Sequence, residues 1–217
     1  MKHFSRFMTL AVLSVLFVTT TISAQAAIGK ATAAFDNERP DRGETAWGRL
    51  VADAVRNTAH SDIALVNAGT LKRGTLKAGK IEATDIDALL SFGDDAVVTL
   101  NITGAQVRAA LNRAAQAYPT GSTAYLHGSG FVAHFNPQGP NNQRVTQIQV
   151  QGRDLADTAT VSVAMPVSLA QGADGYFRVW KDQGSQRSGA TVRSAITDFI
   201  QARGDISPDN NPRFGPQ

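Results

Sequence analysis

The stretch from Ser168 to Tyr176 constrains the fold more than any other part of the sequence. It follows an alternation of apolar and polar residues at 161–165, and a second apolar alternation begins at Phe177. Within the stretch, two glycines and an alanine surround a single carboxylate, Asp174. The pattern predicts a tight loop that presents Asp174 at the end of a sheet. Taken alone, it is more typical of an aspartate that only caps its own turn.

Two other glycine-containing stretches favour a binding role for Asp174 over a turn cap alone. Residues 66–72 and 90–94 also follow apolar segments, and both carry polar side chains immediately after the point where a strand is predicted to end. Loops of this kind allow close approach of backbone or ligand, because glycine has no side chain. Three such loops in one small domain predict a shared pocket.

The first 26 residues have the pattern of a secretory signal peptide. Lys2 and Arg6 precede an apolar and hydroxyl-bearing run at 7–22, and small residues follow at 23–27. We expect cleavage after Ala26 and a periplasmic or secreted protein. A membrane anchor is the alternative, but the apolar run is shorter than the roughly 20 residues of a spanning helix. No cysteine lies near the cleavage site, so a lipid anchor is not expected.

The remaining residues, 27–217, fit one domain, with an irregular lead-in at 27–42 and a loose tail at 205–217. The chain has no cysteine, so no disulfide contributes to its stability. Its formal net charge is +3, and removal of Lys2 and Arg6 leaves +1. This charge gives no reason to expect nucleic acid, or a membrane surface after signal cleavage, as a partner.

Helical periodicity predicts three main helices. The first begins after Thr45, and the second follows a Thr103–Gln106 capping box. The third is expected to begin at Ser188 or Gly189, and a short helix is expected after Thr84. Strands are predicted at 63–66, 96–102, 131–135, 145–150 and 160–165, with a loop or edge ribbon at 72–80 and a hairpin turn at 151–152. The predicted class is α+β, with a mixed β-sheet flanked by helices.

The sequence offers little for bond-breaking chemistry. Three histidines, His60, His127 and His134, are scattered outside the leader, and scattered histidines are more often structural than metal ligands. Ser129 lies between two glycines beside His127. This arrangement matches a serine-nucleophile motif only in part. No phosphate-binding or dinucleotide-binding glycine motif occurs. No cofactor and no metal is therefore expected in this chain.

The polar residues of the three loops are better suited to binding. Phe92, at a strand exit, can stack on a flat ring, although core packing would explain it alone. Asn67 offers donors and an acceptor, and Asp174 is a fixed acceptor. Arg42 and Lys72 can pair with an anion. A flat, polar-edged, anionic ligand such as a nucleotide fits this combination.

Five ordered stretches together resemble the C-terminal domain of the 5'-nucleotidase and UDP-sugar hydrolase family. No single stretch is specific, but the order covers nearly all of the chain after the leader. They are Glu44–Ala54, Asp62–Lys72, Ser91–Asp94, Ile102–Val107 and Gly172–Tyr176.

The resemblance implies an α+β domain that binds the nucleoside part of a substrate. In the family, a separate N-terminal metallophosphoesterase domain holds two divalent metal ions and performs the hydrolysis. The metal-ligand motifs of that domain do not occur in this sequence, so no catalytic residue is carried over. A metallophosphoesterase on a separate polypeptide is the expected partner, and the two metals are expected there.

Binding residues can be carried over in part. Phe92 matches the first of two phenylalanines that enclose the base, and Asp94 completes its motif. Asp174 matches the acid of the family's Gly-Gly-Asp-Gly loop. Asn67 and Gly69 match the family's Asn-Gly-Gly-Gly-Ile-Arg loop.

The sequence departs from the family's motifs at several positions that bear on binding. Thr70 replaces a glycine, and Lys72 replaces an arginine that could bind an anion through two hydrogen bonds. Arg42 lies within about one residue of the position at which the family has an upstream anion-binding arginine. The second stacking position falls on Ser168, which removes on the order of 1 to 3 kcal/mol of base stacking.

Three functions remain open from the sequence. The first is a stand-alone exported domain that binds a nucleoside or nucleotide in nucleotide catabolism and salvage. The second is a degenerate interaction scaffold that keeps the fold without the pocket, as Ser168, Thr70 and Lys72 suggest. The third and least favoured is a phosphatase in its own right.

Overall fold

The computed structural model describes residues 26–116, 118–180 and 183–217. The predicted signal peptide lies outside the described residues except for Ala26. Helices in the described residues are α1 (Ala46–Ala59), α2 (Ala83–Ala88), α3 (Gly104–Gln116), α4 (Val167–Ala170) and α5 (Val192–Arg203). Short 3-10 segments lie at Ala68–Thr70 and Ala173–Arg178. No helix formed by these residues has the length and apolar character to cross a bilayer.

The strands follow the predicted positions closely, with several short additions. They are β1 (Gly29–Ala31), β2 (Phe35–Asn37), β3 (Ile63–Asn67), β4 (Gly74–Leu76), β5 (Gly79–Ile81), β6 (Ala96–Thr103), β7 (Leu126–Ser129), β8 (Phe131–Phe135), β9 (Val145–Val150), β10 (Arg153–Asp154), β11 (Thr160–Pro166), β12 (Ser185–Thr191), β13 (Asp205–Ile206) and β14 (Phe214–Pro216).

A mixed five-stranded sheet in the order β12-β6-β11-β3-β7 forms the centre of the molecule. Val163 of β11 pairs in parallel with Ile63 of β3 and antiparallel with Leu100 of β6. Ile63 packs in one core with α3, while the next residue, Ala64, packs in a second core with α1 and α5. Helices therefore cover both faces, which confirms the predicted α+β class with a mixed sheet flanked by helices.

A second sheet, in the order β10-β9-β8-β14, extends the core on the α3 side. Phe131 and Phe135 of β8 and Ile148 of β9 are buried there. The hairpin turn predicted at Gln151 and Gly152 joins β9 to β10. The stretch predicted as a loop or edge ribbon contributes β4 and part of β5, which pair with β2 and β1.

Two predicted helix starts are confirmed by their caps. The hydroxyl of Thr45 accepts a 3.0 Å hydrogen bond from the backbone N–H of Gly48 at the start of α1. Before α3, the backbone N–H of Gln106 donates to the Thr103 hydroxyl, and the Gln106 side chain accepts from the Thr103 N–H at 3.0 Å. This reciprocal pair is the predicted capping box.

Two other predicted helix starts are wrong. The short helix α2 is capped by Glu82 rather than Thr84, because the Asp85 carboxylate accepts a 2.8 Å bond from the Glu82 N–H. The last helix begins at Val192 after a Thr191 cap. Ser188 and Gly189, the predicted start, lie in β12, at an irregularity between Arg187 and Thr191, which both pair with β6.

The tail predicted to be loose is tied down at three places. Asp205 and Ile206 form β13, which pairs with β1. The Arg213 guanidinium binds the Asp53 carboxylate at 2.6 Å, and the Phe214 ring is buried. Only the folded chain brings these partners within reach, so the polar composition of the tail was misleading.

Candidate functional site

Asp174 lies at a kink between α4 and β12. Its φ of 54° is in the left-handed region, which is uncommon for a residue other than glycine. The Arg113 guanidinium donates a hydrogen bond to the backbone oxygen of Asp174 and lies 5.4 Å from the centre of the Tyr176 ring. A Cβ at the following residue, Gly175, would lie 2.5 Å from Arg113. The glycine thus lets Arg113 hold the Asp174 backbone in an unfavourable conformation.

The Asp174 carboxylate is oriented by two neutral donors. The Asn67 amide donates to one carboxylate oxygen at 2.7 Å, and the Thr123 hydroxyl donates to the other at 2.6 Å. The Thr70 hydroxyl donates to the Asn67 side-chain oxygen at 2.9 Å, which fixes the orientation of the amide. Asn67 and Thr70 are buried, so these bonds form a connected network at the base of the loop.

Gly69 lies against this network. A Cβ on Gly69 would lie 3.0 Å from the Asn67 amide nitrogen and 3.3 Å from the Thr123 Cβ. The Gly69 backbone N–H donates to the Thr123 backbone oxygen at 3.1 Å. Close backbone approach, rather than a special φ angle, is the reason for glycine here.

The Phe92 loop is held by the start of α5. The backbone N–H groups of Val192 and Arg193 donate to the backbone oxygens of Asp95 and Gly93, at 2.9 and 2.8 Å. The loop thereby occupies the positive end of the helix, where carbonyl oxygens are favoured. The Phe92 side chain remains 62% exposed, so core packing does not explain it.

One open cleft of about 860 Å³ collects most of the predicted binding residues. Asn67, Gly69, Lys72, Phe92, Asp94 and Asp174 all line it, together with Ser168. Arg42 is not among the lining residues; it is exposed and lies beside Gly121. The predicted shared pocket is therefore present, whereas the predicted pair of Arg42 and Lys72 is not brought together in it.

The arrangement agrees with comparison to known proteins. A sequence model of the family described as 5'-nucleotidase, C-terminal domain matches residues 25–182. The chain belongs to this family.

Relatives of this 5'-nucleotidase C-terminal domain are much longer than the chain. It is 28% identical over 173 residues to a 5'-nucleotidase of Vibrio cholerae, covering 80% of the chain and 29% of the relative. A 5'-nucleotidase of Vibrio parahaemolyticus is 27% identical over 163 residues, with 75% and 28% covered. The chain thus spans less than a third of either relative.

A solved structure shares the fold of the 5'-nucleotidase C-terminal domain. The 5'-nucleotidase precursor of Thermus thermophilus matches with a TM-score of 0.81 at 23% identity. The match covers 89% of this chain and 39% of that one. At this identity the likeness establishes the fold, and the site must be judged from its own residues.

Four residues of the cleft escaped the sequence analysis: Asp87, Asp95, Thr123 and Arg193. No local pattern marks Thr123, which reaches Asp174 only through the fold. Arg193 could have been noticed in the sequence, because a cation in the first turn of a helix interacts unfavourably with the helix dipole and therefore suggests a nearby anionic partner. Its position is explained by the Asp87 carboxylate, which lies 2.9 Å from the Arg193 Nε.

The histidine and serine considered for chemistry have structural partners. The His127 Nε2 lies 3.1 Å from the Pro40 backbone oxygen, and its Nδ1 accepts from the Thr45 N–H. Complete burial lowers the pKa of His127 to about 4, so the ring is neutral near pH 7. The Ser129 hydroxyl donates to the Asp53 carboxylate at 2.6 Å. Neither side chain lines the cleft.

The described residues form no metal-ligand cluster, and the cations of a second cleft are already paired within the fold. Within 26–116, 118–180 and 183–217, no three His, Cys, Asp or Glu side chains are grouped so as to hold a metal ion. Another cleft, of about 650 Å³, lies between α1, α5 and the tail. Its Arg56 donates to the Asp62 backbone oxygen, and its Arg203 lies over the Phe199 ring. Both cations are thus used within the fold.

Proposed function

We propose that the cleft lined by Asn67, Phe92 and Asp174 binds the nucleoside part of a nucleotide. The observation that carries this proposal is their convergence, because three residues from separate stretches line one cleft. The sequence resemblance supports it, since it implies that all three correspond to binding positions of the family. Membership of the 5'-nucleotidase C-terminal domain family gives nucleotide metabolism as the setting.

The chemistry of the cleft suits a base and a ribose. The exposed Phe92 ring offers an apolar face on which a base can stack. The Asp174 carboxylate uses one hydrogen bond on each oxygen and keeps lone pairs for ribose hydroxyls. Asn67 directs its amide to Asp174 and its oxygen to Thr70, so it acts mainly by positioning the carboxylate.

Hydrolysis is assigned in this proposal to a metallophosphoesterase on a separate polypeptide. That partner would hold two divalent metals, while the present domain would supply recognition of the nucleoside. The leader-like residues 1–26 support export, and catabolism or salvage of nucleotides outside the cytoplasm is the proposed role.

Titration calorimetry tests the binding proposal. A panel of nucleosides and nucleotides is titrated into the wild type and into the Phe92→Ala and Asp174→Asn variants. Phe177→Ala is a matched control, because Phe177 is 56% exposed but does not line the cleft. We expect binding by the wild type and the control, with at least a tenfold loss in both cleft variants. No binding by any compound would overturn the proposal.

A second candidate function, an interaction scaffold, is favoured by one observation. Ser168 lines the cleft, and the resemblance implies that the family's second aromatic residue falls at this position, which would leave one side of the base without a stacking partner. Affinity capture from the exported fraction would support a scaffold if it recovered a stable protein partner whose binding was unaffected by Phe92→Ala. Recovery of no partner would count against it.

A further inference from the structure

The charges that line the cleft are unbalanced. Four carboxylates face two cations, which gives the lining a formal charge of −2. The carboxylates belong to Asp87, Asp94, Asp95 and Asp174, and the cations to Lys72 and Arg193. A dianionic phosphate would therefore enter a cleft that already carries excess negative charge.

Arg193 does not offer a free cation to a phosphate. Its Nε lies 2.9 Å from the Asp87 carboxylate, and one of its terminal nitrogens lies 3.8 Å from the Asp94 carboxylate. Any phosphate that paired with Arg193 would have to compete with both carboxylates. The side chain is 45% exposed, so the competition takes place in a partly solvated setting.

Lys72 is the remaining cation of the cleft. Its ammonium group is exposed and makes no ion pair with any residue in the described parts of the chain. A lysine is a point charge and lacks the two-pronged geometry with which arginine holds a phosphate. Two other arginines do not add to the site: Arg73, the next residue in sequence, pairs with Asp41, and Arg42 lies outside the lining.

The side chains of the other two carboxylates accept hydrogen bonds from neutral groups, while Arg113, which lies outside the lining, donates to the backbone oxygen of Asp174. Asp174 accepts from Asn67 and Thr123, and Asp95 accepts from the Ser168 backbone N–H at 3.2 Å. These donors fix the carboxylates in the cleft without adding positive charge. They suit the hydroxyl donors of a ribose and disfavour an additional anion.

We propose that the cleft selects by charge and binds uncharged nucleosides in preference to the corresponding nucleoside monophosphates. This inference depends on the proposed function, because it names the class of ligand that the same site prefers. The domain would then hold the dephosphorylated product more tightly than the nucleotide from which it comes.

The preference has a definite salt dependence. Exposed charges interact through water, and the screening length falls from about 10 Å at 0.1 M salt to about 3 Å at 1 M. We expect a nucleoside to bind about tenfold more tightly than its monophosphate at low salt, with the ratio approaching one at 1 M. A preference based on shape would not change in this way.

The experiment compares adenosine with AMP and uridine with UMP by titration calorimetry, at 20 mM and 1 M salt. The Asp94→Asn variant removes one cleft charge at a side chain that is 89% exposed, so folding is preserved. At low salt it should narrow the preference for a nucleoside over its monophosphate by about threefold, and this ratio is the readout whether or not nucleoside affinity itself changes. Asp198→Asn is the control, since Asp198 is exposed on α5 and does not line the cleft.

The possible outcomes separate the inference from the function on which it depends. Tighter nucleoside binding that fades with salt, and narrows in Asp94→Asn but not in Asp198→Asn, supports the inference. Equal or tighter binding of the monophosphates at low salt overturns the inference and leaves the proposed function intact. Absence of binding by all four compounds overturns the proposed function, and the inference with it.

Discussion

The Asn67 side-chain amide donates a 2.7 Å hydrogen bond to the Asp174 carboxylate, across 107 positions of sequence. The bond joins the end of β3 to the kink that follows α4, and it brings two of the three glycine-containing loops together. Thr70 and Thr123 complete the network on either side. The geometry of the candidate site therefore depends on side-chain contacts between loops as well as on the sheet.

Replacement of Asn67 by alanine is expected to weaken both binding and stability. It leaves the Asp174 carboxylate with one donor fewer and the buried Thr70 hydroxyl without its acceptor, which costs roughly 1 to 3 kcal/mol. Urea unfolding should show this loss, and calorimetry should show at least a tenfold fall in nucleoside affinity. Asn211→Ala, at an exposed position, should change neither quantity. Unchanged affinity in Asn67→Ala would contradict the positioning role.

Replacement of Gly69 by alanine tests the close approach of the backbone to the site. The new methyl group would lie 3.0 Å from the Asn67 amide nitrogen and 3.3 Å from the Thr123 Cβ, so the network must shift. We expect a destabilisation of about 1 to 2 kcal/mol and a loss of nucleoside binding. Gly43→Ala is a matched control, because nothing lies within 4 Å of its added methyl group. Equal behaviour of the two variants would show that the approach is unimportant.

Replacement of Ser168 by phenylalanine should supply the second stacking surface. Ser168 lines the cleft and is half-buried, and its backbone N–H binds Asp95 whatever the side chain. A second aromatic face is expected to tighten nucleoside binding by about tenfold. Ser168→Ala should leave the affinity near that of the wild type. Weaker binding by Ser168→Phe would mean that the base does not lie beside this position.

The buried His127 should make the protein less stable in acid. Burial lowers its pKa from 6.5 to about 4 in the folded state, so the unfolded chain binds the proton more tightly. The contribution of the neutral ring is complete above pH 6.5 and is lost as the pH falls towards 4, by roughly 3 kcal/mol in all. Urea unfolding from pH 8 to 4 measures this loss.

Comparison with a His127→Gln variant isolates the effect of the ring. Burial raises the pKa of Glu44, so this carboxyl contributes with the opposite sign over part of the same range in both proteins. The difference between wild type and variant should therefore shrink as the pH falls from 6.5 to 4. A difference that stays constant with pH would show that His127 does not titrate in this way.

Local sequence signals predicted the fold class, the main helices and strands, and many of the residues that line the cleft. Thr45 and the pair of Thr103 and Gln106 marked helix starts because capping depends on residues a few positions apart. Of the three glycine-containing stretches predicted to follow strands, residues 66–72 do leave a strand, β3, whereas residues 90–94 follow the short helix α2 and precede β6. Phe92 and Asp174 could then be placed together through the family resemblance, and the structure brings them into one cleft.

Features that depend on distant contacts could not be predicted. Thr123 binds Asp174 across 51 positions, and Arg193 binds Asp87 only because α5 packs beside α2. The ordered tail has the same origin, since the Arg213 and Phe214 backbone N–H groups both donate to the buried Glu44 carboxylate, about 170 positions away. Polar composition alone made that segment look loose.

A crystal structure of the protein with a bound nucleoside tests the central claim most directly. The base is predicted to stack on the Phe92 ring, with ribose hydroxyls within hydrogen-bonding distance of the Asp174 carboxylate. A nucleoside bound elsewhere, such as between α1 and α5 beside Phe199, would contradict the assignment of the site.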